Sequence, residues 1–338
     1  MTVAGTSLEA GSTLREEVAS YVAGIMGRFA DRPERAGRNA DPLAEELFRV
    51  LTARRFCYLG RRRSRPYRDE VVRTFDKSIQ RGEPVSLFYD IGPGYHAALR
   101  PGEQDLSFDV GFSEVLLLSQ VASFSNRVAA LYPPGAHFWL VIDNLCGLWT
   151  NGIPLERTEG YCARLRSLIR TVGLDGRVEL LVESEQFGLG EYDRLFSALE
   201  PYPPASTPSH GDVENVERFL GRRCDAAEAA ERIDRYRRAT IVTETLLPRL
   251  IRGVRMTQRA SATTLGFRPF PGGDARTQCG EVAISRNSKG HLHPVLLTSR
   301  NVDYFERMHF RFPEHLPSPV PGVTFAARLS MRPVAATS

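Results

Sequence analysis

Three apolar runs, each ending in an acid, constrain the fold of this chain more than any other feature. They cover residues 85–90, 137–143 and 178–183 and end in Asp90, Asp143 and Glu183. Helical patterns of apolar residues separate the runs. Buried strands that alternate with helices are typical of repeated βα units. The pattern therefore predicts an α/β, Rossmann-like fold: a mostly parallel sheet flanked by helices.

The ends of these runs predict a ligand site. Parallel strands end at the same edge of a sheet, and open α/β sheets bind ligands there. Asp90 is followed by a turn that contains Gly92 and Gly94, and glycines let the backbone approach a ligand closely. We expect the substrate to contact Asp90, these two glycines, Tyr95 and His96. The alternative is an ordinary strand-to-loop turn.

The remaining sequence predicts three parts. Residues 1–40 form a polar tail to about Thr13 and a first helix, and residues 313–338 form a proline-rich, irregular C-terminal tail. Residues 41–312 form the catalytic domain. Its last part contains short strand-like segments separated by turn residues, which we expect to add antiparallel strands to the C-terminal side. These segments cover residues 253–257, 264–267, 280–285 and 292–298.

Composition excludes several classes of protein. Of 338 residues, 42% are hydrophobic and 25% charged, the balance of a globular protein. No apolar run is long enough for a membrane span, and the start lacks the pattern of a secretory signal, so we expect a cytoplasmic protein without a membrane partner. The five cysteines are scattered without a C-x-x-C pair, which argues against a metal site.

The basic residues are almost all arginine, because Lys77 and Lys289 are the only lysines among 44 basic residues. The net charge of +4 is too small to argue for a nucleic-acid partner. The densest basic cluster, residues 61–68, keeps one alternative open: an arginine-rich nucleic-acid-binding protein, or an accessory protein without catalytic activity.

Two families resemble this chain around Asp90. The run from Phe88 to Gly94 resembles the first motif of S-adenosylmethionine-dependent methyltransferases, D-x-G-x-G-x-G, with His96 in place of the third glycine. A glycine turn by itself is a weak signal. This resemblance implies a methyltransferase as the alternative function.

The longer resemblance, over roughly residues 42–299, is to the isocyanide synthase family of the pyoverdine and dityrosine biosynthesis type. The family carries P-D-x-G-E, Y-x-P-G-A, a strand ending in S-D-G, an aromatic residue, a helical tyrosine, I-R-L-S and T-P-W-H. Similar elements occur here in the same order: residues 108–111, 132–136 and 142–144, Trp149, Tyr161, residues 251–257 and residues 291–293. The chain is therefore identified as a divergent relative.

Three family positions differ in this sequence. The lysine of the family's F-P-x-K-S-P-N turn is Ile91 here. The glutamate that follows P-D-x-G is Phe112, although Glu114 lies two residues further on. The histidine that follows I-R-L-S-I aligns with Arg259. The resemblance consequently supports the fold and the broad substrate class better than it supports isocyanide formation.

The resemblance implies that the amine of an amino acid condenses with the carbonyl of ribulose 5-phosphate, without a metal or organic cofactor. An oxygenase of the same biosynthetic cluster would act downstream. Such a reaction needs a carboxylate to take protons from the ammonium group, cations to hold the anionic groups, and an acid–base group.

We assign these roles to a small set of residues. Asp109 and Asp143 are the candidate catalytic carboxylates, unless they are turn or capping residues. His293 is the candidate acid–base, with His96 as the alternative. Arg255 and Arg259, two residues on either side of Thr257, are candidates for holding phosphate or carboxylate, as is Lys289 in place of the missing lysine. The alternative for each is surface charge or a structural hydrogen bond.

Overall fold

The computed structural model describes residues 5–30, 42–57, 64–92, 110–199, 208–220, 222–257, 265–269, 282–286, 289–296, 309–312 and 325–330. Five strands form one parallel sheet: β1 (Val85–Asp90), β2 (Ala136–Ile142), β3 (Val178–Val182), β4 (Val254–Thr257) and β5 (Leu265–Gly266). Their order is β3-β2-β1-β4-β5. The predicted α/β, Rossmann-like fold with a parallel sheet is therefore confirmed.

Helices precede, connect and flank these strands. Those of the first half are α1 (Gly5–Ala30), α2 (Leu43–Leu51), α3 (Arg68–Arg81), α4 (Phe112–Leu131), α5 (Asn144–Asn151) and α6 (Leu155–Thr171). Those of the second half are α7 (Glu183–Gln186), α8 (Leu189–Ala198), α9 (His210–Leu220) and α10 (Ala226–Leu246). Short 3-10 turns occupy Arg65–Tyr67 and Leu247–Arg249.

The two faces of the parallel sheet are covered differently. Side chains alternate between the faces along a strand. Leu87 and Tyr89 of β1 belong to the large core that also contains buried residues of α1 to α4 and α6. Phe88, between them, packs with Val141, Leu181 and Leu247 in a smaller cluster on the opposite face. Burial of both faces explains why the strands are apolar runs without polar alternation.

The order of the strands places a topological switch point between β1 and β4. The chain builds outward from β1 through β2 to β3 and then returns to the other side of β1 with β4. In open α/β sheets of this kind, the crevice at the carboxyl ends of the two central strands is where ligands bind. Asp90 is the last residue of β1, and Arg255 lies on β4, in register with Phe88.

The C-terminal strands form a second sheet instead of extending the first. It contains β6 (Val282–Arg286), β7 (Leu292–Leu296), β8 (His309–Phe312) and β9 (Phe325–Ser330), in the order β7-β6-β9-β8. The β6–β7 pair is antiparallel, as expected, and so is the β8–β9 pair, whereas β6 and β9 are parallel. The segments 253–257 and 264–267 were also expected to be antiparallel, but they contain the parallel strands β4 and β5 of the first sheet. Arg286 of β6 pairs with Glu17 of α1, which attaches the second sheet to the helices.

Two boundaries differ from the sequence-based expectation. Helix α1 begins at Gly5, within the stretch expected to be a polar tail to Thr13. The stretch 313–338, expected to be irregular, contains strand β9, which pairs with both β6 and β8. Pairing partners supplied by distant parts of the chain decide whether such a segment is a strand, and local composition does not reveal them. Among the described helices, none combines the length and hydrophobicity needed to cross a membrane.

Close packing at the start of β4 leads to a first prediction. A Cβ atom on Gly253 would overlap the Ser86 carbonyl oxygen and lie 2.8 Å from a ring carbon of Phe88. The backbone of β1 cannot move away without breaking the sheet, so we expect Gly253→Ala to lower the free energy of unfolding by about 3 kcal/mol. Urea unfolding measures this change.

Gly188→Ala is the matched control, because Gly188 has a φ of −70° and a Cβ atom added there would meet no heavy atom of another described residue within 4 Å, its chain neighbours apart. We expect this control to change stability by no more than about 0.5 kcal/mol. Equal stability of the two variants would contradict the close approach of β4 to β1.

Candidate active site

Three carboxylates lie side by side at the carboxyl edge of the parallel sheet. Asp90 ends β1, Asp143 follows β2 and Glu183 follows β3, and these three strands are neighbours. Each acid comes two residues after a member of the Phe88, Val141 and Leu181 cluster. Because alternate residues share a face, the acids are directed to the side of the sheet that this cluster occupies. The predicted gathering of the three acids is thus observed.

Asp90 forms an ion pair with Arg255 on the neighbouring strand. The Nε and Nη2 atoms of Arg255 donate to Asp90 Oδ2 at 3.2 and 2.9 Å. The side chains of Arg255 and Asp90 are 19% and 13% exposed, respectively, so solvent screens the pair only weakly. Burial raises the pKa of Asp90, and the charge of Arg255 opposes this rise. The second oxygen of Asp90, Oδ1, is buried and lacks a hydrogen-bond partner among the described residues.

Asp143 lies between the other two acids in the strand order. Burial and then the like charge of Asp90 raise the pKa of Asp143 to about 7, against smaller opposing effects of a backbone hydrogen bond and Arg255. Its Oδ1 atom is also buried without a partner in the described part of the chain. Asp143 can therefore exchange a proton near neutral pH and has an oxygen available to a ligand.

Glu183 is fully buried and held by neutral donors. The Thr243 hydroxyl donates to its Oε1 atom at 2.6 Å, and the backbone N–H of Cys146 donates to its Oε2 atom at 3.2 Å. Burial and then the charge of Asp143 raise the pKa of Glu183 to about 8. Glu183 joins α5, α7 and α10, so we infer that it positions this edge of the sheet.

The pKa of Glu183 leads to a second prediction. Its folded value, about 8, lies above its ordinary value of 4.5, so the folded protein keeps a proton that the unfolded chain releases between these pH values. The free energy of unfolding must then fall as pH rises through this window, by up to about 1.4 kcal/mol per pH unit. We expect Glu183→Gln to weaken this fall and to be at least as stable as the wild type at pH 8. Urea unfolding across the window measures the slope.

A matched control is Glu185→Gln, which removes an exposed glutamate of the same short helix that pairs with Arg166. We expect this control to keep the wild-type slope. Identical slopes for Glu183→Gln and the wild type would show that Glu183 is ionised in the folded protein, contrary to the prediction.

Asp90, Asp143 and Glu183 form a row of carboxylates, here called the carboxylate row. Helix α10 connects this row to Arg255. Thr243 contacts Glu183, and the next residue, Glu244, accepts a hydrogen bond of 2.6 Å from Arg255 Nη1. The Glu244 side chain is half exposed. Neither residue is predicted from the sequence, because both lie on a long polar helix and their partners depend on where this helix crosses the sheet.

A pocket of about 210 Å³ lies beside β4 and is lined in part by Arg255. Its apolar walls come from α3, from the 3-10 turn after α10 and from the following residues and β5: Val71, Leu247, Pro248, Ile251, Val254 and Leu265. Tyr67, Glu70, Thr74 and Arg255 supply its polar groups. Arg255 therefore contacts Asp90 and lines the pocket.

The structure brings together some of the predicted site residues. Asp90, Asp143 and Arg255 lie at one edge, and Gly92, with a φ of 74°, forms the turn that follows β1. His293 lies on β7 and Lys289 in the turn before it, both on the second sheet. Their assignments stay predictions. The other predicted residues, Gly94, Tyr95, His96, Asp109 and Arg259, lie outside the described residues.

Two positions that depart from the family pattern have structural explanations. Ile91, in place of the family lysine, is buried in the large core, and its N–H donates to the Val141 carbonyl. Glu114 accepts hydrogen bonds from the Gly111 N–H, the Ser113 hydroxyl and the Tyr161 hydroxyl. It therefore caps the start of α4 and ties that helix to α6.

No cluster of three or more side chains that could hold a metal ion occurs in the described ranges. The absence of a cofactor from the reaction stays a prediction. Asp90, Asp143 and Glu244 give this edge more carboxylates than Arg255 can neutralise. The edge is thus suited to a cationic group such as an ammonium ion.

Comparison with known proteins identifies the fold. No family model matches the sequence, and no curated protein matches it significantly. Among solved structures, the PvcA protein from Pseudomonas aeruginosa is similar, with a TM-score of 0.57 and 17% identity over 78% of this chain and 94% of that chain. The resemblance found in the sequence is thus confirmed at the level of the fold.

Tyrosyl-tRNA synthetases also match, at much lower TM-scores. The enzyme from Aeropyrum pernix has a TM-score of 0.28 and 11% identity over 67% of this chain and 61% of that chain. The enzyme from Archaeoglobus fulgidus has a TM-score of 0.32 and 10% identity over 68% of this chain and 64% of that chain. These TM-scores are too low to indicate a common fold.

Proposed function

We propose that this protein is a biosynthetic enzyme of the isocyanide synthase type that modifies the amine of an amino acid at the carboxylate row. The observation that carries the proposal is the pair of buried oxygens, Asp90 Oδ1 and Asp143 Oδ1, without partners among the described residues. Buried polar atoms are normally paired. An ammonium group provides three N–H donors and a positive charge, which suits two such oxygens.

The environment of the two acids divides their roles. Arg255 holds Asp90, so Asp90 provides a fixed negative charge for the ammonium group. Asp143 has a pKa near neutrality and no cation in direct contact among the described residues. A general base works best when its pKa lies near the working pH. Asp143 is thus the group that takes a proton from the ammonium and makes the amine nucleophilic.

The proposed reaction starts with attack of this amine on a carbonyl, for which ribulose 5-phosphate is the proposed donor. The new N–C bond forms a carbinolamine, and loss of water then gives an imine. Ile91 cannot replace the family lysine, because it is apolar and part of the core. Arg259 and Lys289 are the proposed phosphate contacts, and His293 the proposed acid that assists loss of water. These three roles are assigned from the sequence resemblance.

The test is incubation with a panel of amino acids and ribulose 5-phosphate, followed by mass spectrometry. We expect at least one amino acid to be consumed and a product to appear that contains its nitrogen and a carbon from isotopically labelled sugar phosphate. If an amino acid is consumed without transfer of labelled carbon, ribulose 5-phosphate is not the donor. The assignment of Asp90 and Asp143 as the site that binds the amine, the amine site, would be unaffected. If folded protein consumes no amino acid, the proposed function is wrong.

A titration with S-adenosylmethionine distinguishes the proposed function from the alternative, a methyltransferase. The tight turn at Gly92 follows a strand that ends in an acid, as the methyltransferase motif requires. Micromolar binding of this cofactor would favour a methyltransferase. We expect none.

A further inference from the structure

The pocket beside Arg255 is linked to the carboxylate row by two lining residues, Arg255 and Leu247. Arg255 pairs with Asp90 and also lines the pocket. Leu247, another lining residue, packs against Phe88 and Val141, which precede Asp90 and Asp143 by two residues. Neither Asp90 nor Asp143 lines the pocket, so Arg255 is the residue that joins the pocket to the two acids.

We propose that this pocket binds the side chain of the amino acid, and that Thr74 of α3 and Ile251 after the 3-10 turn determine which side chains fit. The proposal rests on the proposed function. The amine would lie at Asp90 and Asp143, and N–H groups of Arg255 that do not contact Asp90 or Glu244 would face the amino acid's carboxylate. Separate contacts to the amine, the carboxylate and the side chain would together select one enantiomer of the amino acid.

The size and lining of the pocket define the class of side chain. A dry apolar cavity of about 150 Å³ is enough to hold benzene. At about 210 Å³, the pocket accommodates a branched aliphatic chain or a single aromatic ring. Six of the lining residues are apolar, so a charged side chain would lose its hydration without a partner.

Thr74 is the position at which the pocket can be filled with least damage to the fold. It lies partly exposed on α3, and its hydroxyl donates to the Glu70 carbonyl of its own helix. Thr74→Phe should reduce the pocket volume. Ile251, which is partly buried, provides the opposite change, because Ile251→Ala should enlarge the pocket. Lys77→Phe, on the exposed side of the same helix, is the matched control.

The experiment measures kcat/KM for alanine, leucine, phenylalanine and tryptophan with each folded variant, using thermal unfolding to verify the fold. We expect leucine or phenylalanine to be the best substrate of the wild type. Thr74→Phe should shift the ratio of that substrate to alanine at least about tenfold toward alanine. Ile251→Ala should shift the preference toward the larger side chains, and Lys77→Phe should leave every ratio unchanged.

The outcomes distinguish this proposal from the proposed function. If the wild type consumes amino acids and neither Thr74→Phe nor Ile251→Ala changes the ratios, the side chain binds elsewhere, and the amine site still stands. If only one of the two variants folds, the ratio of kcat/KM values measured with that variant tests the proposal alone. If the wild type consumes other amino acids of the panel but none of these four, this assignment fails and the proposed function stands. If it consumes no amino acid of the panel, the proposed function fails and this assignment fails with it.

Discussion

Asp143→Asn is expected to lower the rate of amino-acid consumption by about 100- to 10,000-fold, the range typical for loss of a general base. Asparagine has nearly the shape of aspartate but cannot accept the proton of the ammonium group. Because Asp143 has a pKa raised to about 7 and must be ionised to act, the wild-type rate should rise with pH through this value. Single-turnover rates measured across neutral pH, with the amino acid that the wild type consumes, test both statements.

The fold should survive this substitution. A neutral amide avoids the cost of a buried charge next to Asp90, so thermal stability at pH 8 should equal or exceed that of the wild type. Asp193→Asn, on the surface of α8, is the matched control and should keep the wild-type rate. An Asp143→Asn protein with more than half of the wild-type rate would remove Asp143 from the mechanism.

Arg255→Gln is expected to lower the free energy of unfolding by about 3–5 kcal/mol, because it leaves the buried Asp90 without its counter-charge. Burial disfavours the charged form of Arg255, but Asp90 and Glu244 outweigh it and raise the pKa of the guanidinium. Arg255 therefore keeps its charge beside Asp90 in a weakly solvated place. Urea unfolding at neutral pH measures the loss.

Two further variants make this prediction specific. Arg249→Gln removes an arginine that is 54% exposed and pairs with Glu191, and it should cost less than about 1 kcal/mol. Adding Asp90→Asn to Arg255→Gln should recover part of the lost stability, because the uncompensated charge is gone. Equal effects of the Arg255 and Arg249 substitutions would show that the Asp90–Arg255 pair is solvated.

Much of the sheet could be predicted from the sequence, for physical reasons. Strands β1, β2 and β3 are buried on both faces, so each is a continuous apolar run, and the helices between them require parallel pairing. The final acids of the three runs then had to share one edge. Arg255 was predicted for the site, and the structure places it on the strand next to Asp90.

Other parts depend on contacts between distant residues. The order of the strands determines that Asp90 faces Arg255, 165 residues later in the chain, and no local pattern contains this order. Thr243 and Glu244 occupy ordinary positions of a polar helix and gain their roles only where α10 crosses the sheet edge. Similarly, β9 exists because β6 and β8 offer it partners.

The most direct test of the amine site compares two ligands that differ by one group. Calorimetric titration would measure the dissociation constants of the preferred amino acid and of the same molecule with hydrogen in place of the amine. We expect the wild type to bind the amino acid at least about tenfold more tightly, which corresponds to about 1.4 kcal/mol. The double variant Asp90→Asn/Asp143→Asn should lose this preference. Equal binding of both ligands by the wild type would show that the carboxylate row does not recognise an amine.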